Sequence, residues 1–516
     1  MTIKRKNELK EKVEEMIFHA FNGYMNYAFP SDELHPLACD GKDRDFENEN
    51  NYGVNDILGN YTLTLIDSLD TLAIIGDKKA FENAVNKVIH TVNFDIDSQV
   101  STFESNIRIL GGLLAGHLFA INDDYGVKLD NYNDELLNLA YDLGKRLLPA
   151  FYNSTSEIPL NKVNLKSGAS VNTDTLYNCS AGAGTFILEF GTLSRLTGDT
   201  RFENFARKAL FKIWNNRSSL DLLGDMIDSS TSNWSGEITS VGAGIDSIFE
   251  YMLKGYILFG DPDYLTMTQD GLYVKVNMRT GSHYAYSMDG LTAFFPGVQV
   301  LMGDIDSAIH LHQIFIELWR KYHAIPESYN FLMKSVSANS YFLRPPNINF
   351  IIKIITITTT IIIIKATKDP YYLEIGEMVL NDLERLCRTE CGFAQLNPLT
   401  SYSKEDRMES FFISESLKYL YLLFDEDNII NTRYTNALFT TEGHFLILPK
   451  KVYHQKDYDN SSYFNATSYN NIKCPNVSYN IGNPLLPKKE RINIFKLVNY
   501  IHETEINSLL EDVCLK

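Results

Sequence analysis

The sequence predicts an all-α fold in which helical hairpins close into a toroid. Glycine supplies the left-handed residue that ends a helix, and aspartate caps the helix that follows. Strand-like alternation is scarce, and the irregular spacing of the hairpin junctions counts against a solenoid of fixed period. An apolar run ends at a Gly-Asp or Lys-Asp step and an amphipathic run begins at Gly76-Asp77, Gly198-Asp199, Gly260-Asp261, Gly303-Asp304 and Lys368-Asp369.

Length, charge and cysteine content narrow the class of ligand. A chain of 516 residues with 44% hydrophobic residues can bury one or two large cores. The net charge of -18 argues against nucleic acid or an anionic membrane as the main partner, and suits a neutral, polyhydroxylated or cationic ligand. Among six cysteines the one close pair, Cys387 and Cys391, lacks companions at zinc-binding spacing. We therefore expect no transition-metal site.

Targeting signals and domain boundaries follow from composition. The N-terminus reads as a charged amphipathic helix without the apolar centre of a secretory signal. The apolar run at 350–364 is shorter than the ~20 residues of a membrane span, so no transmembrane segment is predicted. After about Lys450 the chain becomes polar, aromatic and Asn-rich. We predict one domain over residues 1–449 and a polar C-terminal tail over 450–516.

Residues 101–112, STFESNIRILGG, place a carboxylate inside a run that is otherwise suited to burial. Glu104 lies on the flank of the apolar face, and Arg108 follows one turn later, where it can hold the carboxylate ionised or orient it. Gly111 and Gly112 allow another backbone to approach closely. Taken alone, the pair also fits a structural ion pair. The apolar face consists of Phe103, Ile107, Leu110 and Leu114.

Further acidic residues recur in apolar helical context. An unpaired buried carboxylate is costly, so these residues must be paired, metal-bound or gathered around a wet cavity. Carboxylates together with aromatic side chains suit a sugar pocket that has an acid and a base for glycosyl transfer. For any one of them a structural ion pair is an equally good interpretation. The acids are Glu237, Asp246, Glu250, Glu327, Glu409, Glu415 and Glu442, and the aromatics are Phe249, Tyr251, Phe294, Phe295, Phe411 and Phe412.

Several motifs resemble the class I α-1,2-mannosidases of glycoside hydrolase family 47, in order from about residue 10 to 449. They include LTLIDSLDTLAIIGD, TFESNIRILGGLLAGHL, GAGIDSIFEYMLKGYIL, SMDGLTAFFPG, RMESFFISESLKYLYLLF and FTTEGH. GAGIDS at 242–247 resembles the ER degradation-enhancing branch of the family. The glycan-trimming members have arginine where Gly244 stands.

The resemblance implies an (α/α)7 barrel, a C-terminal β-hairpin that plugs it, and inverting hydrolysis. Carried over by position, Glu104 is the general acid, Asp246 a second catalytic carboxylate and Glu327 another acidic active-site group. Thr441 would bind Ca2+ through its hydroxyl and carbonyl oxygens, which suits a hard cation. The substrate-binding positions are Arg108, Glu250, Arg344, Glu409, Phe411, Glu415 and Glu442.

The chain departs from the family after the Leu-Arg-Pro motif. Where the family has a glutamate taken as the base that activates water, this chain has Pro346, and Asn349 replaces a second pocket glutamate. Residues 346–364 are rich in Ile and Thr, which are poor helix formers, and the run is longer than the family's helix. We interpret the segment as translated intron or a wrong splice junction in preference to a genuine insertion.

These observations lead to three hypotheses. The first is a calcium-dependent inverting α-1,2-mannosidase that trims high-mannose N-glycans of misfolded glycoproteins for ER-associated degradation. The second is a catalytically inactive mannose-binding lectin that delivers glycoproteins to degradation. The third is a helical scaffold without a sugar site. For the first two we expect the ER lumen, although the chain as written starts without a secretory signal, and we consider an ER oxidoreductase that pairs with Cys39 as a partner.

Overall fold

A computed structural model describes residues 1–168, 176–265, 275–343, 367, 369–432 and 437–448. Arg344, the segment 346–364 and the predicted tail 450–516 lie outside the described residues. The α-helices are Ile3–Gly23, Tyr52–Asn55, Leu63–Asp67, Leu69–Ile74, Lys78–Thr91, Thr102–Glu104, Gly111–Ile121, Glu135–Leu147, Pro149–Tyr152, Ser180–Gly184, Ile187–Thr197, Arg201–Asn215, Asp246–Phe259, Pro262–Leu265, Phe295–Met302, Ile305–Tyr322, Tyr371–Leu386, Lys418–Phe424 and Ile429–Thr432. π-Helical turns span Tyr24–Ala28, Ser105–Leu110 and Phe412–Leu417, and 3₁₀ turns span Asp123–Tyr125, Gly290–Phe294 and Leu399–Ser401.

Short antiparallel strands connect the helices. They are Glu33–His35, Asp40–Lys42, Gln99–Ser101, Lys162–Asn164, Tyr177–Cys179, Met226–Asp228, Ile238–Thr239, Lys275–Asn277, His283–Ala285, Ser287–Asp289, Ser328–Asn330, Ser335–Ala338, Gln395–Leu396, Lys404–Glu405, Ala437–Phe439 and Phe445–Ile447. They pair into separate sheets of two or three strands. These strands were not predicted, because two to four residues are too few for an alternating pattern to stand out.

The predicted Gly-Asp junctions have left-handed glycines, whereas Lys368 of the Lys368-Asp369 step lies outside the described residues. Gly76 and Gly303 adopt the left-handed conformation, with φ of 81° and 90°. The side chain of Asp77 accepts the backbone N–H of Ala80 at 2.9 Å, and the equivalent aspartate, Asp304, caps helix Ile305–Tyr322. The local chemistry of these steps therefore ends one helix and starts the next, as expected for αα-hairpins.

The ring of hairpins closes on itself. The first helix, Ile3–Gly23, packs against Lys418–Phe424 near the other end of the domain. One hydrophobic core runs from Leu9 to Leu448. A disulfide joins Cys39 to Cys391 across 352 residues. The predicted fold class, an all-α (α/α)7 barrel with a small C-terminal β-hairpin, is confirmed.

The helix that carries Glu104 and Arg108 lies inside this ring. It is continuous from Thr102 to Ile121, with a π-helical segment at Ser105–Leu110, and we call it the site helix. The sequence predicted one apolar face, but the helix is buried on every side over 102–120. An inner helix has neighbours all round, so its polar side chains are buried together with its apolar ones.

Gly112 offers a direct test of this packing. A Cβ on Gly112 would lie 2.9 Å from the backbone oxygen of Ile66 and 3.1 Å from its side chain. Gly112→Ala should therefore lower the free energy of unfolding by ~1–3 kcal/mol, although Gly→Ala normally stabilises a helix by ~0.5–1 kcal/mol. Urea denaturation measures the difference. Asn83→Ala, on an exposed position of helix Lys78–Thr91, is the control and should stay within ~0.5 kcal/mol. A stabilised Gly112→Ala protein would contradict the close approach.

Candidate active site

The centre of the site is a buried guanidinium held between two carboxylates. The Nε of Arg108 donates to Glu104 at 2.8 Å, and its Nη1 donates to Glu442 at 2.5 Å. The same Nη1 lies 3.3 Å from the hydroxyl of Ser410. The guanidinium also lies over the ring of Phe411, 5.2 Å from its centroid. Arg108 and Glu442 are fully buried and Glu104 is 5% exposed, so solvent screens these charges little.

Burial and crowding govern the protonation of this group. Burial raises the pKa of Glu442 well above its usual range despite the opposing charge of Arg108, and Asp67, Glu415 and Glu104 add to the rise. Burial alone would lower the pKa of Arg108, but Glu442 and Glu104 raise it well above its ordinary value. Acidic groups thus outnumber the cation, which favours the protonated form of a carboxyl group in the cluster.

The hairpin Ala437–Phe439 and Phe445–Ile447, here the closing hairpin, presents Glu442 to Arg108. Its strands pair in register from Ala437 opposite Ile447 to Phe439 opposite Phe445. Between the strands, residues 440–444 form the TTEGH turn. Within this turn the N–H of Thr440 donates to the carbonyl of His444 at 2.8 Å, and Gly443 is left-handed with φ of 76°. A tight turn at this position delivers its side chains to the site helix.

Thr441 in this turn has the character of a cation ligand. Thr441 is fully buried, and within the described part of the chain its hydroxyl oxygen has no hydrogen-bond partner. A buried, unsatisfied oxygen is costly unless a ligand fills the gap. Among the described residues no group of three or more His, Cys, Asp or Glu side chains is placed to hold a metal. The buried hydroxyl and the carbonyl of Thr441 fit a hard cation that is held by oxygen ligands.

A second buried carboxylate lies behind Thr441. The N–H of Thr441 is 3.4 Å from the hydroxyl of Tyr251, which donates to Glu189 at 2.5 Å. Asn106 of the site helix donates to the other oxygen of Glu189 at 3.0 Å. Burial raises the pKa of Glu189 to about 7, and the hydrogen bonds from Tyr251 and Asn106 oppose the rise. Glu189 was not among the predicted site residues.

Asp246 begins helix Asp246–Phe259 and is 1% exposed. One of its carboxylate oxygens accepts the N–H of Ser247 at 2.8 Å. The hydroxyl of Ser247 pairs with that of Thr185 at 2.8 Å, and the carbonyl of Thr185 accepts Asn106 at 3.1 Å. These contacts tie the start of the Asp246 helix to the site helix.

Glu250, one turn later, forms a buried ion pair with Lys254. Lys254 also donates to the carbonyl of Phe439 in the closing hairpin at 2.5 Å. Burial lowers the pKa of Lys254 to about 7, although Glu415 and Glu189 oppose the shift. Glu250 therefore contributes to docking the closing hairpin.

Glu327 is also buried, and its backbone holds a neighbouring segment in place. Its carbonyl accepts the N–H of Gly290 at 3.0 Å. The next residue, Leu291, packs against Phe103 and Ile107 of the site helix. The backbone of Glu327 therefore holds Gly290 and Leu291 in place, and Leu291 in turn packs on the site helix.

Glu409 belongs to a separate buried charge cluster. It lies 2.8 Å from the Nε of Arg407, and the same atom lies 3.7 Å from Glu33. Lys42 is 3.9 Å from Glu33. Burial and the neighbouring Glu409 raise the pKa of Glu33. Glu33 and Arg407 were not predicted as site residues.

The remaining predicted acids differ in their surroundings. Glu415 lies in the π-helical turn Phe412–Leu417, where a Cβ on Gly443 would come within 2.9 Å of its side chain. Glu415 therefore borders the TTEGH turn. Glu237, which was expected to be buried, is half-exposed and paired with Arg279 near a strand end. That expectation was wrong, because Glu237 precedes a surface strand and does not lie on an inner helix.

Sequence reasoning missed several buried polar residues that the same signal could have found. Each is a charged residue within an apolar helical run, like the acids that were singled out. They are Asp67 and Asp70 in LIDSLDTL, Glu189 in FILEFGTL and Lys418 in ESLKYLYLLF. Arg344, predicted to bind substrate, lies outside the described residues.

Cysteine pairing and membrane association bear on the predicted partners. Cys39 is paired with Cys391, while Cys179 and Cys387 are free and buried. Among the described residues, Cys39 is therefore bonded within the chain. In the part of the chain that the structure describes, no helix is both long and apolar enough to span a bilayer.

A closed ring of αα-hairpins with buried carboxylates on its inner helices defines a class of helical-barrel proteins with an acidic interior. Within this class, the family model of glycosyl hydrolase family 47 matches residues 16–448. The chain belongs to that family. An α-1,2-mannosidase from Trichoderma reesei has the same fold, with a TM-score of 0.72 at 22% identity over 85% of this chain and 98% of that one.

Curated relatives cover most of this chain. It is 42% identical to an ER degradation-enhancing alpha-mannosidase-like protein 1 of Schizosaccharomyces pombe, over 91% of this chain and 60% of the relative. It is 41% identical to alpha-mannosidase I MNS4 of Arabidopsis thaliana, over 86% and 70%. It is 43% identical to human ER degradation-enhancing alpha-mannosidase-like protein 3, over 87% and 49%. The chain thus spans between half and about two thirds of the length of these relatives.

Replacing Arg108 tests the central ion pairs. Arg108→Lys keeps the charge but cannot reach both carboxylates with a planar fork. Because this leaves a buried carboxylate without its partner, we expect a loss of ~3–5 kcal/mol in the free energy of unfolding. Denaturant unfolding is the measurement. Arg217→Lys in the exposed pair with Asp221 is the control, and should change stability by less than ~1 kcal/mol. Equal losses of unfolding free energy in the two variants would show that burial does not make the Arg108 ion pairs more important for stability than an exposed pair.

Glu189 gives a prediction for the pH dependence of stability. Its pKa of about 7 in the folded state lies above the ordinary value, so its contribution is complete below about pH 4.5 and is lost as pH rises through 7. Glu189→Gln should remove this component, on the order of 3 kcal/mol. The measurement is the unfolding free energy at pH 4.5 to 8, with Glu82→Gln on an exposed position as control. An unchanged slope in Glu189→Gln would refute it.

Proposed function

We propose that this domain is a calcium-dependent, inverting α-1,2-mannosidase that trims high-mannose N-glycans of misfolded glycoproteins for ER-associated degradation. The observation that carries the proposal is the buried Glu104–Arg108–Glu442 cluster beneath a turn that presents Thr441. Membership of glycosyl hydrolase family 47 and the names of the relatives support the reaction, the pathway and an ER-luminal location. The substrate and compartment rest on those relatives.

Each step of an inverting hydrolysis requires a group in a defined protonation state. One carboxylic acid protonates the leaving oxygen while a carboxylate on the opposite face takes a proton from water, with the two ~6.5–9.5 Å apart. In our assignment Glu104 is the acid, oriented by Arg108. Asp246 and Glu327 are the further carboxylates. Thr441 would hold calcium through its oxygens, and the ion would orient the sugar hydroxyls.

One feature of the sequence favours a second function, that of an inactive mannose-binding lectin. Pro346 stands where the family base is expected, and proline has no group that can accept the proton of the attacking water. We therefore expect the chain as written to hydrolyse glycan poorly while still binding it. A transcript sequence across codons 340 to 370 decides whether residues 346–364 belong to the protein.

The acid is tested in a repaired chain in which a Glu-containing helix of the family type replaces residues 346–364. In this background Glu104→Gln keeps the shape of the side chain but removes the transferable proton. Mannose release should fall ~10²-fold or more, with glycan binding retained. Product analysis by chromatography measures release, and Glu82→Gln is the matched exposed control. Full turnover in Glu104→Gln would assign the acid elsewhere, and hydrolysis by the unrepaired chain would identify another base.

Calcium is tested through the hydroxyl of Thr441. Chelation with EDTA should suppress glycan binding, and added calcium should restore it. Thr441→Ala should weaken calcium binding about tenfold or more because it removes one oxygen ligand, while Thr441→Ser should retain most of the affinity. Isothermal titration calorimetry gives both affinities. Equal affinity in the Ala and Ser variants would remove the hydroxyl from the site.

A further inference from the structure

Another buried charge cluster, distinct from those of Arg108 and Arg407, lies on the far side of the TTEGH turn. The Nε2 of His444 is 3.0 Å from Asp67, and its Nδ1 is 3.4 Å from Asp70. Lys418 lies 2.8 Å from both oxygens of Asp70. The side chains of these four residues are all fully buried. The reaction assigned above uses none of them.

This cluster also holds the backbone of the turn. Lys418 donates to the carbonyl of Gly443 at 2.7 Å. The N–H of Phe445 donates to Asp70 at 3.0 Å. On the other side of the turn, Glu442 accepts from Arg108. The turn that bears Thr441 and Glu442 is therefore held on one side by Arg108 of the site helix. On the other side it is held by Lys418 and Asp70, which lie on two other helices.

The site helix contains a space that fits the imidazole of His444. A Cβ on Gly111 would lie 2.7 Å from the ring Cδ2, and a Cβ on Gly112 would lie 3.3 Å from the ring Cε1. The ring thus packs against helix backbone that only glycine leaves exposed. Gly111 lies three residues after Arg108, so the site helix positions both Arg108 and the imidazole of His444. We call His444 with Asp67, Asp70 and Lys418 the clamp.

The charges of the cluster balance only when the imidazole is a cation. Burial alone would lower the pKa of His444, but Asp67 and Asp70 raise it to about 9. Lys418 pairs with Asp70, and His444 is the cation that stands against Asp67. An apolar side chain of similar size would fill the space and leave a buried carboxylate without a cation, which is costly.

We propose that His444 is a positioning residue: its ion pairs with Asp67 and Asp70 and its packing on Gly111 hold the Thr441–Glu442 turn in its binding geometry. The part of this inference that concerns calcium rests on the proposed function. The part that concerns the turn does not, because the contacts are present in the chain itself. A loosened turn would weaken oxygen ligation at Thr441 before it affected the rest of the barrel.

The experiment compares His444→Gln with His117→Gln. His117 is also buried, lies on the site helix whose glycines contact His444, and its Nδ1 is 2.9 Å from the hydroxyl of Tyr132, away from the turn. Hydrogen exchange of the metal-free proteins, read by mass spectrometry, should be roughly tenfold or more faster for residues 437–448 in His444→Gln alone. Calorimetry with calcium should show about tenfold weaker binding in His444→Gln and unchanged binding in His117→Gln.

The outcomes separate this inference from the proposed function. Wild-type protein that binds no calcium, together with faster exchange confined to 437–448 in His444→Gln, would support the clamp and refute the calcium site. Normal exchange and normal calcium affinity in His444→Gln would overturn the clamp. A uniform rise in exchange, equal to that of His117→Gln, would overturn it as well. If His444→Gln does not fold, Asp67→Asn is measured in its place, with the same expected and refuting results.

Discussion

The burial of Arg108 between Glu104 and Glu442 is the constraint on which the rest of this structure depends. The guanidinium and Glu442 are separated by 334 residues in sequence, so the ring must close before the pair can form. Once formed, the pair cannot be broken cheaply, because any partner left behind would be a buried charge. The helix ends, the closing hairpin and the TTEGH turn are all arranged so that these three groups meet out of water.

A single cation serving two acids recurs around this centre. Arg108 contacts Glu104 and Glu442, and Arg407 lies near Glu33 and Glu409. Burial raises the pKa values of Glu33 and Glu442, and this excess of carboxylates adds to the rise. The same excess favours the protonated form of a carboxyl group at this centre, which a general acid of the proposed function requires.

The parts of the fold that were predictable from sequence are those with local causes. Glycine and aspartate at a helix junction act on their immediate neighbours, and a carboxylate in an apolar run signals burial wherever its partner lies. Partners themselves were not predictable. His444 and Asp70 are 374 residues apart, and Cys39 and Cys391 are 352 apart. Glu237 was misjudged because the residues that follow it form a short strand near the surface. The sequence of so short a segment does not distinguish such a strand from an inner helix.

The distribution of these contacts suggests that binding and turnover depend on different parts of the chain. The contacts described for Glu104, Arg108, Thr441 and Glu442 come from the site helix, helix Asp246–Phe259 and residues 410–445. The position of the expected base, Pro346, is in a different stretch that follows Leu343. Under the proposed function, a change confined to 346–364 removes the acceptor of the water's proton, while the described contacts of Arg108 with Glu104 and Glu442 come from other parts of the chain. Under the proposed function, we therefore expect loss of the base to affect the activation of water more than the binding of sugar.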